Sequence, residues 1–216
     1  MKQAPRPILI HPKHPDRDEV EALARDVYAR EYGAKIAAFA DTLIALPAPD
    51  CGYLAVAGVR IGGDFFSEIY LDRPIEVVLS DHWYPPAARS EIAEVTTLAA
   101  NRPCASHALF AAITGYLRDQ GVRFAFFTVT ERLHMMLKRV GVPAQHLASA
   151  NIDRVNNPQD WGMYYATNPR VVAIHDAFVT LPVSTIDHGE PHNTGLTTGH
   201  SAGHNAGHSA EETVRV

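Results

Sequence analysis

Between Ser90 and Val142 the apolar positions change their period from two to about three and a half, twice in succession. The run SEIAEVTTLAA alternates, with Ile92, Glu94, Thr96 and Leu98 on one face and Glu91, Ala93, Val95 and Thr97 on the other, which predicts a strand. After the break Asn101-Arg102-Pro103, residues Leu109, Ala112, Ile113, Tyr116 and Leu117 recur at helical spacing as far as Gly121, a natural stop. VRFAFFTVT follows, rich in β-branched and aromatic residues, and reads as a second strand. Thr130 can then cap a helix, ERLHMMLKRVG, whose stripe is Leu133, Met136, Leu137 and Val140. This order predicts a right-handed βαβα unit with parallel strands. Ligands of such units sit at the carboxyl ends of the strands, beside the start of the next helix. The chemistry is therefore expected between Glu94 and His107.

The flanking segments complete a mixed α/β pattern. PILIHP reads as a short strand, and a helix is expected from about Asp18 to Tyr32, with Val20, Leu23, Ala24, Val27 and Tyr28 on its stripe. Asp16 or Asp18 can cap it and Gly33 can end it. TLIAL and YLAVAGVRI, separated by the turn residues Pro47 to Gly52, predict a hairpin. FFSEIYL reads as a strand or extended segment, IEVVLS as a short helix or strand, and Tyr84-Pro85-Pro86 as loop. WGMYYATNPRVVAIH offers two late strands around Asn168-Pro169. Such an order suits a mixed sheet with helices on both faces.

Composition narrows the functional classes. With 46% hydrophobic and 20% charged residues the chain is ordinary for a soluble globular protein, and its formal net charge of -5 lacks the basic patch that nucleic acid requires. Two cysteines without zinc-like spacing point to a reducing compartment, and neither a signal peptide nor a membrane span is evident, so a cytoplasmic protein is expected. Residues 1–183 are expected to form one domain, and residues 184–216 a disordered tail rich in His, Gly and Ser. His200, His204 and His208 recur every fourth residue, but the intervening glycines oppose the helix that would align them on a metal. No metal is expected. Truncation after about Val183 should leave the melting temperature unchanged; amide-exchange protection from His188 to His208 would refute this.

Several residues carry candidate chemistry. Glu94 is expected to be buried, as a general base for an ammonium nucleophile or as a carboxylate satisfied by backbone amides at a sheet end. Arg102 could hold a phosphate or carboxylate, or stand in solvent as a loop cation. Cys104, with His107 three residues on, could be an activated thiol, although a small buried cysteine is commoner. Glu68, Tyr70 and Asp72 share a face if FFSEIYLD is extended, where they could line an acceptor site together with Thr96 and Thr97. Trp161, Tyr164 and Tyr165 read as core and rim packing ahead of an acyl pocket, and His134 as solvent-facing.

FFSEIYLDRPIE, RSEIAEVTTLAA, TERLHMMLKRVGV and WGMYY together resemble the thermostable hemolysin family over most of the chain up to about Val183. The resemblance implies a variant of the GCN5-related N-acetyltransferase (GNAT) fold, similar in layout to acyl-homoserine-lactone and N-acyl amino acid synthases. It implies an acyltransferase that takes an acyl group from a thioester, on coenzyme A or on the phosphopantetheine of an acyl carrier protein, and passes it to a small amine. Glu94 would be the base, and the segment Arg102, Cys104, Ala105, Ser106 and His107 would hold the donor phosphate. Acetyltransferases of this fold place small residues in that loop, where this chain has Ala105 and His107, and Pro103 removes an amide donor. Leu137 stands where many of them carry a tyrosine acid. Both departures favour a carrier-protein donor with its single phosphate. A haemolytic protein, or a binding protein that kept the fold without catalysis, is the alternative.

Overall fold

The central unit forms as the periodicity predicts. In the computed structural model, which describes residues 6–139, 141–176 and 179 without the side chains of Pro103 and Cys104, β4 (Ile92–Ala100) leads into α3 (Pro103–Asp119), β5 (Phe124–Val129) and α4 (Glu131–Arg139). β4 and β5 are parallel. Pro103 occupies the first turn of α3, where a missing N–H costs nothing. Thr130 caps α4, its Oγ1 accepting from Leu133 N at 3.3 Å. The tail expected from residue 184 onward lies outside the described residues, as does Val140.

Around this unit stand β1 (Ile8–Ile10), α1 (Arg17–Tyr32), the hairpin β2 (Thr42–Pro47) and β3 (Tyr53–Ile61), α2 (Ile75–Ser80), β6 (Gln145–Ser149) and β7 (Arg170–His175). The seven strands run in the order β1-β2-β3-β4-β5-β7-β6, antiparallel except for β4 and β5. On one face α3 and α4 bury Leu109, Ile113, Leu117 and Leu137 against Ile44, Val59, Val95, Phe127 and Val172. On the other, α1 packs Val20, Ala24 and Val27 against Leu43, Ala45 and Val56, and α2 packs Ile75 and Leu79 against Ile92, Phe124 and Phe126. The mixed sheet with helices on both faces is thus the architecture found.

Four expectations need correction. FFSEIYL is not extended: Phe66–Tyr70 is a 3-10 turn. Side chains claim its backbone groups before a neighbouring strand can, because Glu94 accepts from the amides of Phe66 and Ser67. Glu68, Tyr70 and Asp72 therefore do not share a face. Glu68 binds Arg89 and the Ile75 amide, the Tyr70 hydroxyl meets that of Tyr165 at 2.5 Å, and Asp72 pairs with Arg154. Of the two late strands only Arg170–His175 forms, since Pro158–Trp161 and Tyr164–Thr167 are 3-10 turns; β6, a short edge strand with little apolar signal, went unread. Asp16 precedes α1 without capping it, its carboxylate being taken by the Tyr53 hydroxyl at 2.7 Å.

The fourth correction concerns β4 itself. Thr97 has φ +49°, and two residues of β4 face one of β3 between the pairs Gly58↔Thr96 and Val56↔Ala99. This bulge reverses the alternation. Glu94 stays on the face of Ile92, whereas Leu98 turns to the α3 side and Ala99 packs among the α1 contacts.

Candidate functional site

β4 and β5 begin side by side and then part. Their ladder spans only Ile92↔Phe124, Ala93↔Ala125 and Glu94↔Phe126, although β4 continues to Ala100 and β5 to Val129. A cavity of about 930 Å³ fills the fork. Val95, Thr96, Thr97 and Leu98 line it from β4, Phe127 and Thr128 from β5, and it reaches the start of α3 on one side and the end of α1 on the other. Strands in mid-sheet rarely leave backbone groups unpaired without a function for the gap.

Glu94 sits at the apex of the fork with no accessible surface on its side chain. Its oxygens accept from Ser67 N at 2.7 Å, Phe66 N at 2.9 Å and Arg60 Nη1 at 3.1 Å. Arg60 is opposite it on β3 and remains partly exposed to the cavity. The carboxylate thus ties the Phe66–Tyr70 turn to the sheet and holds one cation at the cavity wall. Gly58 keeps the neighbouring register open, because a Cβ there would come within 2.5 Å of Thr96 Oγ1.

The candidate donor segment lies at the opposite mouth. Arg102 is exposed and, with Ser106 and His107, lines the cavity. Ala105 is buried in the core, and its amide donates to the carbonyl of Arg102 at 3.1 Å. The side chain of Cys104 lies outside the described residues. Cations dominate the wall, with Lys35, Arg60, Arg102, Arg139 and Arg154 against Glu31, Glu94 and Asp160. Such a balance draws an anionic ligand toward the fork.

Of the expected acceptor residues, Tyr70, Thr96 and Thr97 line the cavity, whereas Glu68 and Asp72 face a separate shallow hollow beside Arg73 and Arg89. Hydrogen bonds from Arg89 lead the causes that lower the Glu68 carboxyl below the usual range. Trp161 and Tyr164 pack against neighbouring rings, as expected, and also line the cavity. The Tyr164 ring meets Tyr32 edge-on at 5.2 Å and Tyr28 at 6.4 Å, while Trp161 stacks on Phe66 at 5.7 Å. Burial pushes the phenols of Tyr28 and Tyr164 well up, so both stay protonated hydroxyls. His134, expected in solvent, is half-buried and its Nδ1 is enclosed without a hydrogen-bond partner among the described residues.

Sequence reasoning missed Arg60, Thr128, Tyr28, Tyr32 and the α4 residues Leu133 and Met136. Arg60 had a usable signal. It is the lone charge in an otherwise apolar strand, as Glu94 is in its own, and two such charges on neighbouring strands invite pairing.

The sequence pattern of the thermostable hemolysin family matches residues 10–178. No curated protein matches the sequence. Solved structures superpose at the level of the fold. The acyl-homoserine-lactone synthase LasI has a TM-score of 0.53 at 11% identity, over 80% of this chain and 91% of its own. FeeM, an N-acyl amino acid synthase from uncultured soil microbes, has 0.53 at 15% identity, over 79% and 95%. The CoA-dependent acyl-homoserine lactone synthase BjaI, solved with SAM and isopentyl-CoA, has 0.54 at 12% identity, over 87% and 94%. The mixed sheet with helices on both faces is the GNAT-like fold that these structures share.

Proposed function

We propose, from the premise that this chain belongs to the thermostable hemolysin family, that it transfers an acyl group from a thioester to the amine of a small molecule. The observation that carries this reading is the forked cavity, which is lined from both faces of the sheet and has Glu94 at its apex. A donor entering beside Arg102 and an acceptor entering between Tyr32 and Trp161 would meet at the fork. Proximity of this kind supplies a large part of the rate of acyl transfer. Among the described residues no helix is long and apolar enough to cross a membrane.

Each end has its own chemistry. Arg102 and the first turn of α3 would bind the donor phosphate through charge and free amides. Glu94 would take the proton of the acceptor ammonium. For that the ammonium must replace Arg60 at Oε2, one cation for another, because the carboxylate has no other open side. The proton lost there frees the nitrogen lone pair for attack on the thioester carbonyl; the C–N bond forms as the C–S bond breaks, and the donor leaves as a thiolate that takes up the second proton shed by the nitrogen.

The donor is expected to be an acyl carrier protein rather than free acyl-coenzyme A. Pro103 offers no N–H, and the Ala105 amide is already bonded to Arg102, so the turn can serve a single phosphate better than a pyrophosphate. Titrating the purified protein with both donors at one salt concentration, then following amide formation over a panel of small amines, tests donor and reaction together. Tight binding of acyl-coenzyme A with no affinity for the carrier protein would reverse the donor assignment. Absence of acylated amine with either donor would remove the acyltransferase reading.

A further inference from the structure

The segment between β3 and α2 is gripped from two sides. From the interior, Glu94 accepts from the amides of Phe66 and Ser67. From the outside, the Arg89 guanidinium closes over the same stretch. It donates to the Gly63 carbonyl through Nε at 3.0 Å and Nη2 at 2.9 Å, and to the two oxygens of Glu68 at 2.9 and 2.5 Å. A further bond of 2.9 Å reaches Glu76 on α2. Gly63 and Glu68 bracket the two amides that hold Glu94, so both ends of the bracket hang on one side chain.

Arg89 is itself fixed. It stands in the 3-10 turn Arg89–Glu91 that leads into β4. Glu91 braces that turn by accepting from the Ala88 amide at 2.8 Å and pairing with Arg123 at 3.3 Å. The guanidinium lies 4.5 Å above the Phe65 ring, which meets Phe126 edge-on at 5.1 Å. Phe126 is the β5 residue in register with Glu94, so the grip continues through the core to the strand beside the apex. A lone exposed ion pair contributes little, but a forked arginine shared by two carboxylates and a carbonyl restrains geometry as well as charge. These bonds use every N–H of the guanidinium, and Arg89 borders the shallow hollow rather than the fork cavity. It has no donor left for a ligand.

We propose that Arg89 is the positioning residue for Glu94: it sets the Phe66 and Ser67 amides, and through them the carboxylate that receives the acceptor's proton. The inference rests on the acyl-transfer reading and adds to it a residue outside the cavity. A carboxylate hung on two amides moves when they move. Displacement of a reacting group by about 1 Å can cost on the order of a hundredfold in rate.

Arg89→Ala in the full-length chain tests this, with Arg73→Ala as control, since Arg73 borders the same hollow and pairs with Asp81. Turnover per folded molecule is followed as thiol release from octanoyl-pantetheine in the presence of a panel of small amines. It should fall by about a hundredfold in Arg89→Ala and stay native in Arg73→Ala. Affinity for the thioester should not change, and Arg89→Lys, which keeps a charge beside Glu68 and loses the fork, should recover part of the rate. Amide exchange at Phe66 and Ser67 should quicken while that of Phe126 in mid-sheet holds, a pattern that general destabilisation does not give. If Arg89→Ala does not fold, Glu68→Gln decides, because either orientation of its amide turns a donor toward the Arg89 fork and should slow turnover in the same way. Native turnover per folded molecule in these variants, or unaltered exchange at Phe66 and Ser67, overturns the assignment and leaves acyl transfer standing. Faster local exchange beside a wild type that releases no thiol overturns the acyl-transfer reading and the assignment with it.

Discussion

A Gly162→Ala chain is expected to melt roughly 6–12 °C below the native one and to bind acceptor poorly, if at all. Gly162 has φ +49° and ψ −122°, backbone that a side chain disfavours. Space is the harder constraint. A Cβ there would stand 2.2 Å from the carbonyl oxygen of Tyr32 and 2.8 Å from the carbonyl carbon of Gly33. Both are backbone atoms at the end of α1, so no side chain can turn aside to make room.

The close approach exists because the segment around Trp161 is strapped to α1. Met163 N donates to Tyr32 O at 2.7 Å and Lys35 N to Asp160 O at 2.6 Å. Relieving the clash breaks both bonds and lifts Trp161 and Tyr164 off the cavity. Strain of about 3 kcal/mol is a reasonable scale for a residue forced into such a position. In a chain of this size each kcal/mol lowers the melting temperature by about 2–4 °C. Gly63→Ala is the control, since nothing lies within 4 Å of its added Cβ, and it should change stability by no more than about 0.5 kcal/mol. A Gly162→Ala chain that melts with the native one would show that the strap is not fixed as described.

The parts legible in the sequence are those where local pattern and tertiary packing agree. The stripe Leu109, Ala112, Ile113, Tyr116 and Leu117 is buried along α3, and the alternation of Ile92 to Val95 sets the faces of β4 as far as the bulge. Thr97 ended that agreement, since a bulge is an event between two strands and a threonine gives no local warning of it. FFSEIYL failed for the opposite reason. Its aromatic and alternating residues favour a strand, yet Glu94, twenty-seven residues beyond Ser67 and in no local sense a neighbour, removes two of its amides from any ladder. Glu94 itself was found because an acid inside an apolar strand is expensive without partners. Its partners were invisible, coming from β3 and from the misread turn. The aromatic wall was seen as residues and not as a place, because Tyr28 and Tyr32 meet Tyr164 only when the late loop folds back across α1.

Glu94→Gln is expected to lower turnover by about a hundredfold to ten-thousandfold, the usual consequence of losing a general base. Glutamine matches the carboxylate in size but presents one oxygen and one NH2 group. Ser67 N and Phe66 N approach different oxygens of Glu94, at 2.7 Å and 2.9 Å, so either orientation of the amide leaves a buried donor facing a donor. One such unmade bond costs about 1–3 kcal/mol, and the variant should melt lower as well. Stability and rate must therefore be separated, by measuring turnover per folded molecule. Donor binding should be untouched, because on the proposed reading the phosphate would be held at Arg102 and the start of α3, away from the apex. A loss confined to stability, with turnover of the folded fraction intact, would leave Glu94 only as the anchor of the Phe66–Tyr70 turn. Equal loss of turnover in Arg60→Ala would assign Glu94 the positioning of Arg60 instead, and Arg60→Lys should then keep part of the rate.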